Sequence, residues 1–221
     1  MELLQQMLRC GGKLALYLQP CVLALLLIDR LTRVPRFVFR KLLHLVAFTC
    51  VTFMILVAES WQAASLTSCL VAVLVWPILA LLERRSWYAR LFVEKEPGEI
   101  KKSLLLLFFV IAAVTAVGWG LFDRRPDAVA AILMWGVGDA AAALVGIPYG
   151  RHKAPFADGK KSWEGTAAMA VSSFVCGLFV LGTPLRCLAS SLIGAAAELL
   201  SPSEYDTVTV PTLVLLALLL L

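Results

Sequence analysis

Charge is scarce in this chain. Asp, Glu, Lys and Arg make up only 16% of its 221 residues, where a soluble globular domain carries about 25%. That shortage excludes an ordinary soluble fold, whose surface needs those groups. Polar linkers are missing as well, so residues 1–221 read as a single integral membrane domain. No CxxC pair occurs among Cys10, Cys21, Cys50, Cys69, Cys176 and Cys187, which argues against a zinc site. Most of these cysteines lie in apolar runs and read as small membrane-core side chains. The N-terminus, "MELLQQMLRCGGK", has an early Glu and no charged n-region. No small-residue cleavage site follows, so the first apolar run is read as a retained helix. There is no convincing internal repeat. The loops are short, so the net charge of +5 offers no basic face for nucleic acid.

What is there instead is apolar. Hydrophobic residues account for 61% of the chain, and the mean hydropathy is +0.87. Uncharged runs near 20 residues mark the membrane spans. They fall at about 11–28, 42–58, 61–82, 103–122, 127–147, 164–182, 185–200 and 207–221. The fold expected is all-α, a polytopic membrane helix bundle of about eight transmembrane helices. Pro20 falls in the first run, which a membrane helix tolerates. His44 falls in the second and Asp139 in the fifth.

The cations alternate from loop to loop. Arg30, Arg33, Arg36, Arg40 and Lys41 follow the first span. Arg84, Arg85, Arg90, Lys95, Lys101 and Lys102 follow the third, and Arg151, Lys153, Lys160 and Lys161 the fifth. The intervening loops, "ESWQ", "DRRPD" and "GTPLR", hold three positive charges together. The positive-inside rule then predicts basic loops in the cytoplasm and both termini outside. The loop before the last span also falls inside, but it is acidic, with Glu198, Glu204 and Asp206. Every polar cluster that needs explaining thus lies on one side of the bilayer.

Asp139 is the first of these. A carboxylate at a helix centre costs roughly 3 kcal/mol to insert, even on the milder scales. With Ala143, Gly146 and Gly150 it shares one helix face. That face fits a small-residue packing seam with a buried, hydrogen-bonded acid. It also fits a polar cavity in which Asp139 ligates a divalent cation. The next stretch, "GRHKAPFADGKKSWEG", favours the cation. Gly150, Pro155 and Gly159 break the helix, and Ser162 can cap the next one. Lys160 and Lys161 beside a helix N-terminus suit phosphate. A basic loop gripping lipid headgroups is the plainer alternative. With Glu164 and Asp139 close by, mixed acid and base suit a metal–polyphosphate complex better, since Mg²⁺ prefers a few carboxylates plus phosphate oxygens. Glu198 and Asp206 can complete its shell; Asp206 can equally cap the last helix. In "RKLLH", Arg40 and His44 share a helix face, where they can bind a second anion or accept a proton, or simply snorkel and pack. "GVGD" follows no strand, which removes a dinucleotide-binding loop.

These residues resemble a known family. "GDAAAALVGIPYGRHKAPFADGKKSWEGTAA" is similar to the signature of the CTP-dependent lipid and polyprenol kinases: dolichol kinase, phytol kinase and CTP-dependent diacylglycerol kinase. It is also similar to their relatives, the phosphatidate cytidylyltransferases. The matching positions are Gly138, Asp139, Gly146, Gly150, Lys160, Lys161, Ser162, Glu164 and Gly165. "RKLLH" looks like the early element of the kinase branch. "EYDTVTVP" looks like its late one, with Thr207 where Asn is usual. No D-R-x-D element of the cytidylyltransferases stands near the C-terminal spans, which favours the kinase branch.

The resemblance implies a transferase moving phosphoryl from CTP to the hydroxyl of a membrane lipid alcohol such as diacylglycerol, a polyprenol or phytol. Asp139, Lys160, Lys161 and His44 are its expected catalytic residues. Arg40, Lys41, Gly146, Gly150, Ser162, Glu164 and Gly165 are expected at the substrate, and Asp139, Glu198 and Asp206 at Mg²⁺. The bilayer supplies the acceptor, and a homodimer stays open. Two other readings remain. One is CDP-diacylglycerol synthesis in the same cradle. The other is a cation- or proton-coupled transporter using Asp139, which would call for broken helices in both halves of an inverted repeat.

Overall fold

The computed structural model describes residues 1–32, 34–84, 88, 98–156, 159–202 and 205–221. Arg33, Arg85, Arg90, Lys95 and Glu204, counted above among the loop charges, lie outside the described residues.

Among the described residues eight helices follow one another: α1 Glu2–Thr32, α2 Arg36–Leu56, α3 Trp61–Leu82, α4 Glu99–Thr115, α5 Arg125–Tyr149, α6 Trp163–Leu181, α7 Pro184–Leu200 and α8 Asp206–Leu220. A π-helical segment, Ala116–Leu121, extends α4. No strand occurs among the described residues, so the all-α membrane bundle is observed. The first six apolar stretches are long enough to cross a membrane; α7 and α8 are shorter, at 17 and 15 residues. The first helix starts nine residues before the predicted span, because 2–10 holds only Glu2 and Arg9 as charges and Arg9 pairs with Glu59 at 2.9 Å.

Local chemistry sets the boundaries. The Ser60 hydroxyl caps α3 by accepting the Ala63 N–H, and Ser162 caps α6 by accepting the Gly165 N–H, each at 3.3 Å. Gly182, with φ of 65°, closes α6 in the left-handed conformation that a helix C-terminus favours. Pro184 opens α7, where a missing N–H costs nothing.

The bundle centres on α5. More than half of its apolar window is buried inside the protein (56%), against 11% for α1, which faces outward along most of its length. Ile132 and Met134 of α5 are fully enclosed, with Phe48 and Met54 of α2, Met169 of α6 and Leu218 of α8 packed around the same core. Asp139 is therefore carried by the most enclosed helix. No disulfide joins the described cysteines.

Candidate active site

Asp139 lies ten residues before the end of α5, about 15 Å in at 1.5 Å per residue. Its carboxylate turns toward α2. Oδ2 receives the Lys41 ammonium at 2.7 Å and lies 3.3 Å from His44 Nε2. Lys41 and His44 are three residues apart on α2, hence on one face. Arg40, the neighbour expected to share the His44 face, is exposed at the same helix end. His44 Nε2 is buried without a hydrogen bond: the approach to Oδ2 is close in distance but poor in angle. A ring nitrogen left unsatisfied beside a carboxylate needs an explanation, and function is a common one.

The height of His44 is set by packing. Its ring lies 4.4 Å from the Phe48 ring, which meets Trp135 edge-on at 4.7 Å. Phe48 is fully buried against Gly136; a Cβ there would come within 2.1 Å of the ring. This close contact fixes α2 against α5.

The second cluster is built around Lys161. Its ammonium lies 3.2 Å from Glu198 Oε1 and 3.6 Å from Asp206 Oδ2. It also donates to the Ser201 carbonyl at 3.0 Å and to the Glu198 carbonyl. A cation at the last carbonyls of α7 matches the negative end of that helix. Lys161 thus ties the entrance of α6 to the exit of α7. Asp206 is the first residue of α8 rather than its cap, which is Tyr205. The Glu198 and Asp206 side chains are 11% and 23% exposed, so both carboxylates sit part-buried beside Lys161. The two clusters are within electrostatic range of one another, since Asp139 also acts on Glu198, and Lys41 on both acids.

Between α5 and α6 the chain folds back on itself. Lys153 and Ser162 form an antiparallel bridge, the Ala154 N–H reaches the Lys161 carbonyl at 2.9 Å, and the Trp163 N–H reaches the His152 carbonyl at 3.0 Å. Glu164 pins the start of this loop. Its Oε1 accepts the Arg151 and His152 N–H groups at 3.2 and 3.1 Å and pairs with His152 Nδ1 at 2.7 Å. Lys160 is exposed on the loop.

Gly146, Gly150 and Gly165 lie at the joint of α5, loop and α6. A Cβ on Gly150 would sit 2.5 Å from Ser162 Oγ, and one on Gly165 would sit 2.9 Å from the Ala142 carbonyl. Gly146 faces Ser162 Oγ and Gly165 in the same joint. These three glycines let the capping serine and the two helices meet, so they hold the lysine-bearing loop at its depth.

The expected residues therefore gather in two groups. Asp139 joins Lys41 and His44, while Lys161 joins Glu198 and Asp206. Asp139, Glu198 and Asp206 do not form one preformed cage; among the described residues no three His, Cys, Asp or Glu side chains converge as metal ligands. The donor set still fits magnesium, which takes one or two carboxylates and completes its shell with phosphate oxygens and water. The sequence reading missed the Lys41–Asp139 partnership and the loop-pinning role of Glu164. The i, i+3 spacing of Lys41 and His44 was the available signal for the first; nothing local signalled the second.

A phytol kinase of Synechocystis sp. is 31% identical to this chain over 215 residues, covering 90% of this chain and 86% of that protein. The kinship defines a membrane-embedded kinase, with lipid-alcohol phosphorylation as its activity at family level. The chain belongs to the polyprenol and phytol kinase family. No protein-family model matches it, and neither does any solved structure.

Proposed function

We propose that this protein transfers the γ-phosphoryl group of CTP to the hydroxyl of a membrane isoprenoid alcohol of the phytol or polyprenol type, on the cytoplasmic side, with Mg²⁺. The reading rests on one observation: the acid in α5 faces a lysine and an unsatisfied histidine of α2, within electrostatic range of a second lysine–carboxylate cluster. Family membership supplies the lipid alcohol, and the relative is a phytol kinase. CTP as donor rests on the resemblance of the "GKKSWEG" stretch. The cytoplasmic placement rests on the loop cations.

Phosphoryl transfer asks a protein mainly for positioning and charge neutralisation. The exposed Lys160 contacts the triphosphate. Lys161 holds α6 and α7 together around it and presents the positive helix end beside Ser162. Asp139, with Asp206 or Glu198, supplies the carboxylate oxygens for the cation. When bound, Mg²⁺ neutralises and orients the phosphate oxygens. His44 accepts the acceptor hydroxyl's proton as the lipid oxygen bonds to the γ-phosphorus and the bond to CDP breaks. Arg40 and the lipid-facing helix surfaces orient the acceptor, which enters sideways from the bilayer.

The test is purified full-length protein in nanodiscs with γ-labelled CTP and a panel of phytol, a polyprenol and diacylglycerol. Label is expected in phytyl or polyprenyl phosphate. Pyrophosphate release with phosphatidate instead would identify a cytidylyltransferase, and no transfer to any alcohol would remove the kinase reading.

A further inference from the structure

Asp139 uses one oxygen twice. Oδ2 takes the Lys41 ammonium at 2.7 Å and faces His44 Nε2 at 3.3 Å. The two partners differ in freedom. His44 is held by Phe48, which is itself locked against Gly136. Lys41 carries its charge on a flexible four-carbon stem, and its side chain is 20% exposed, so it has a path to water. An oxygen that ligates Mg²⁺ holds it at about 2.1 Å. An ammonium hydrogen-bonded to that same oxygen would stand against the cation's charge, and like charges at such distances repel strongly in a part-buried site. Lys41 and a divalent cation therefore compete for Asp139.

We infer that Lys41 is an exchangeable counter-ion: it holds Asp139 until a divalent cation takes Oδ2, and then turns to the phosphate oxygens that arrive with that cation. This rests on the metal–nucleotide reading above and adds an order and a coupling to it. Released without an anion to meet, Lys41 would leave a part-buried charge uncompensated. A triphosphate supplies that anion. Cation and nucleotide thus bind cooperatively through this side chain, and the coupling is reciprocal. Lys161 does not fit this part, because it is tied to the carbonyls of Glu198 and Ser201 as well as to carboxylates.

The experiment is a Mn²⁺ titration of full-length protein in nanodiscs, followed by the electron paramagnetic resonance of free Mn²⁺, with and without CTP. Wild type is expected to bind Mn²⁺ weakly alone and about tenfold tighter with CTP, within the usual range of coupling between sites. Lys41→Met is expected to bind Mn²⁺ alone about tenfold tighter than wild type and to lose most of the enhancement by CTP. Lys41→Arg keeps the charge and grips the carboxylate with a planar fork, so Mn²⁺ alone should bind more weakly than to wild type. Met above Lys above Arg in metal-only affinity is the order the exchange requires. If Lys41→Met cannot be recovered folded, the Arg and wild-type pair decides, and Arg at or above wild type overturns the inference. Unchanged or weaker Mn²⁺ binding by Lys41→Met, with cooperativity intact, overturns the exchange and leaves the kinase reading in place. Wild type that binds no Mn²⁺ with or without CTP overturns both.

Discussion

The two ends of this bundle bury charge in opposite ways. At the end away from Asp139, the part-buried cations are three arginines and Lys13, which donates to the Val57 carbonyl at 3.3 Å, and the acceptors are mostly backbone carbonyls. Arg125 donates to the carbonyls of Ile55, Leu56 and Ala58 at the exit of α2 and stacks 4.2 Å over Trp119. Arg186 donates to the Leu218 carbonyl at 2.6 Å, and Arg124 to the Leu219 carbonyl at 2.9 Å, at the exit of α8. Both arginines clamp Asp127, which is 3% exposed. Rigid forked cations on fixed carbonyls close helix ends. At the Asp139 end the part-buried cations are lysines held by carboxylates, with Arg36 paired to Asp29 at the more exposed rim. Acceptors of that kind can change partners when a ligand arrives. One end is built to stay closed and the other to exchange.

Substitutions can break that comparison. The largest contrast is between the buried Asp127 and the part-buried Asp139. Asp139→Asn should lower kcat/KM by about 10³-fold, since electrostatic stabilisation of the transfer is what it removes, with a smaller drop in melting temperature than Asp127→Asn because Lys41 has a path to water. Asp127→Asn should do the reverse, costing about 3 kcal/mol of stability by removing the buried carboxylate that both arginines clamp, with activity per folded molecule retained. Parallel thermal-shift and turnover measurements decide; equal effects on both would erase the distinction. Next come the neighbouring lysines. Lys161→Met should lose turnover and stability together, because it also closes α7. Lys160→Ala should raise the KM for nucleotide about tenfold, as loss of one charge-assisted contact does. A smaller effect is expected for Arg125→Met, which should cost about 2 kcal/mol through lost charged hydrogen bonds to α2, without a change in KM. Smallest is Ser162→Ala, a lost cap costing about 1 kcal/mol, read as a modest drop in melting temperature.

Much of the fold was legible in the sequence because it is written in local runs. The predicted spans at 61–82, 164–182 and 185–200 differ from α3, α6 and α7 by no more than a residue at either end. Ser162 was recognisable as a cap, since caps are read from the residues that follow them. Asp139 stood out because a lone acid in an apolar run has few bland explanations. What escaped were the pairings across long separations. Lys41 and Asp139 lie 98 residues apart, and their contact depends on how α2 packs on α5, which hydropathy does not encode. Arg124, Arg125 and Arg186 were counted only as charges for orientation. Their use as helix-end donors depends on which carbonyls the bundle leaves within reach. Glu164 looked like a substrate ligand from its motif, while its observed partners are the amides of Arg151 and His152.

The notch at Gly136 has a consequence for how this enzyme tolerates change. Phe48 fills the space where a methyl group would stand, and His44 rides on Phe48 one turn nearer the water. Putting even an alanine at 136 must slide one helix past the other, lifting His44 and Lys41 away from Asp139 together. An apolar-for-apolar exchange in the greasiest part of the chain, touching no polar atom, would then register in an assay as damage to the chemistry.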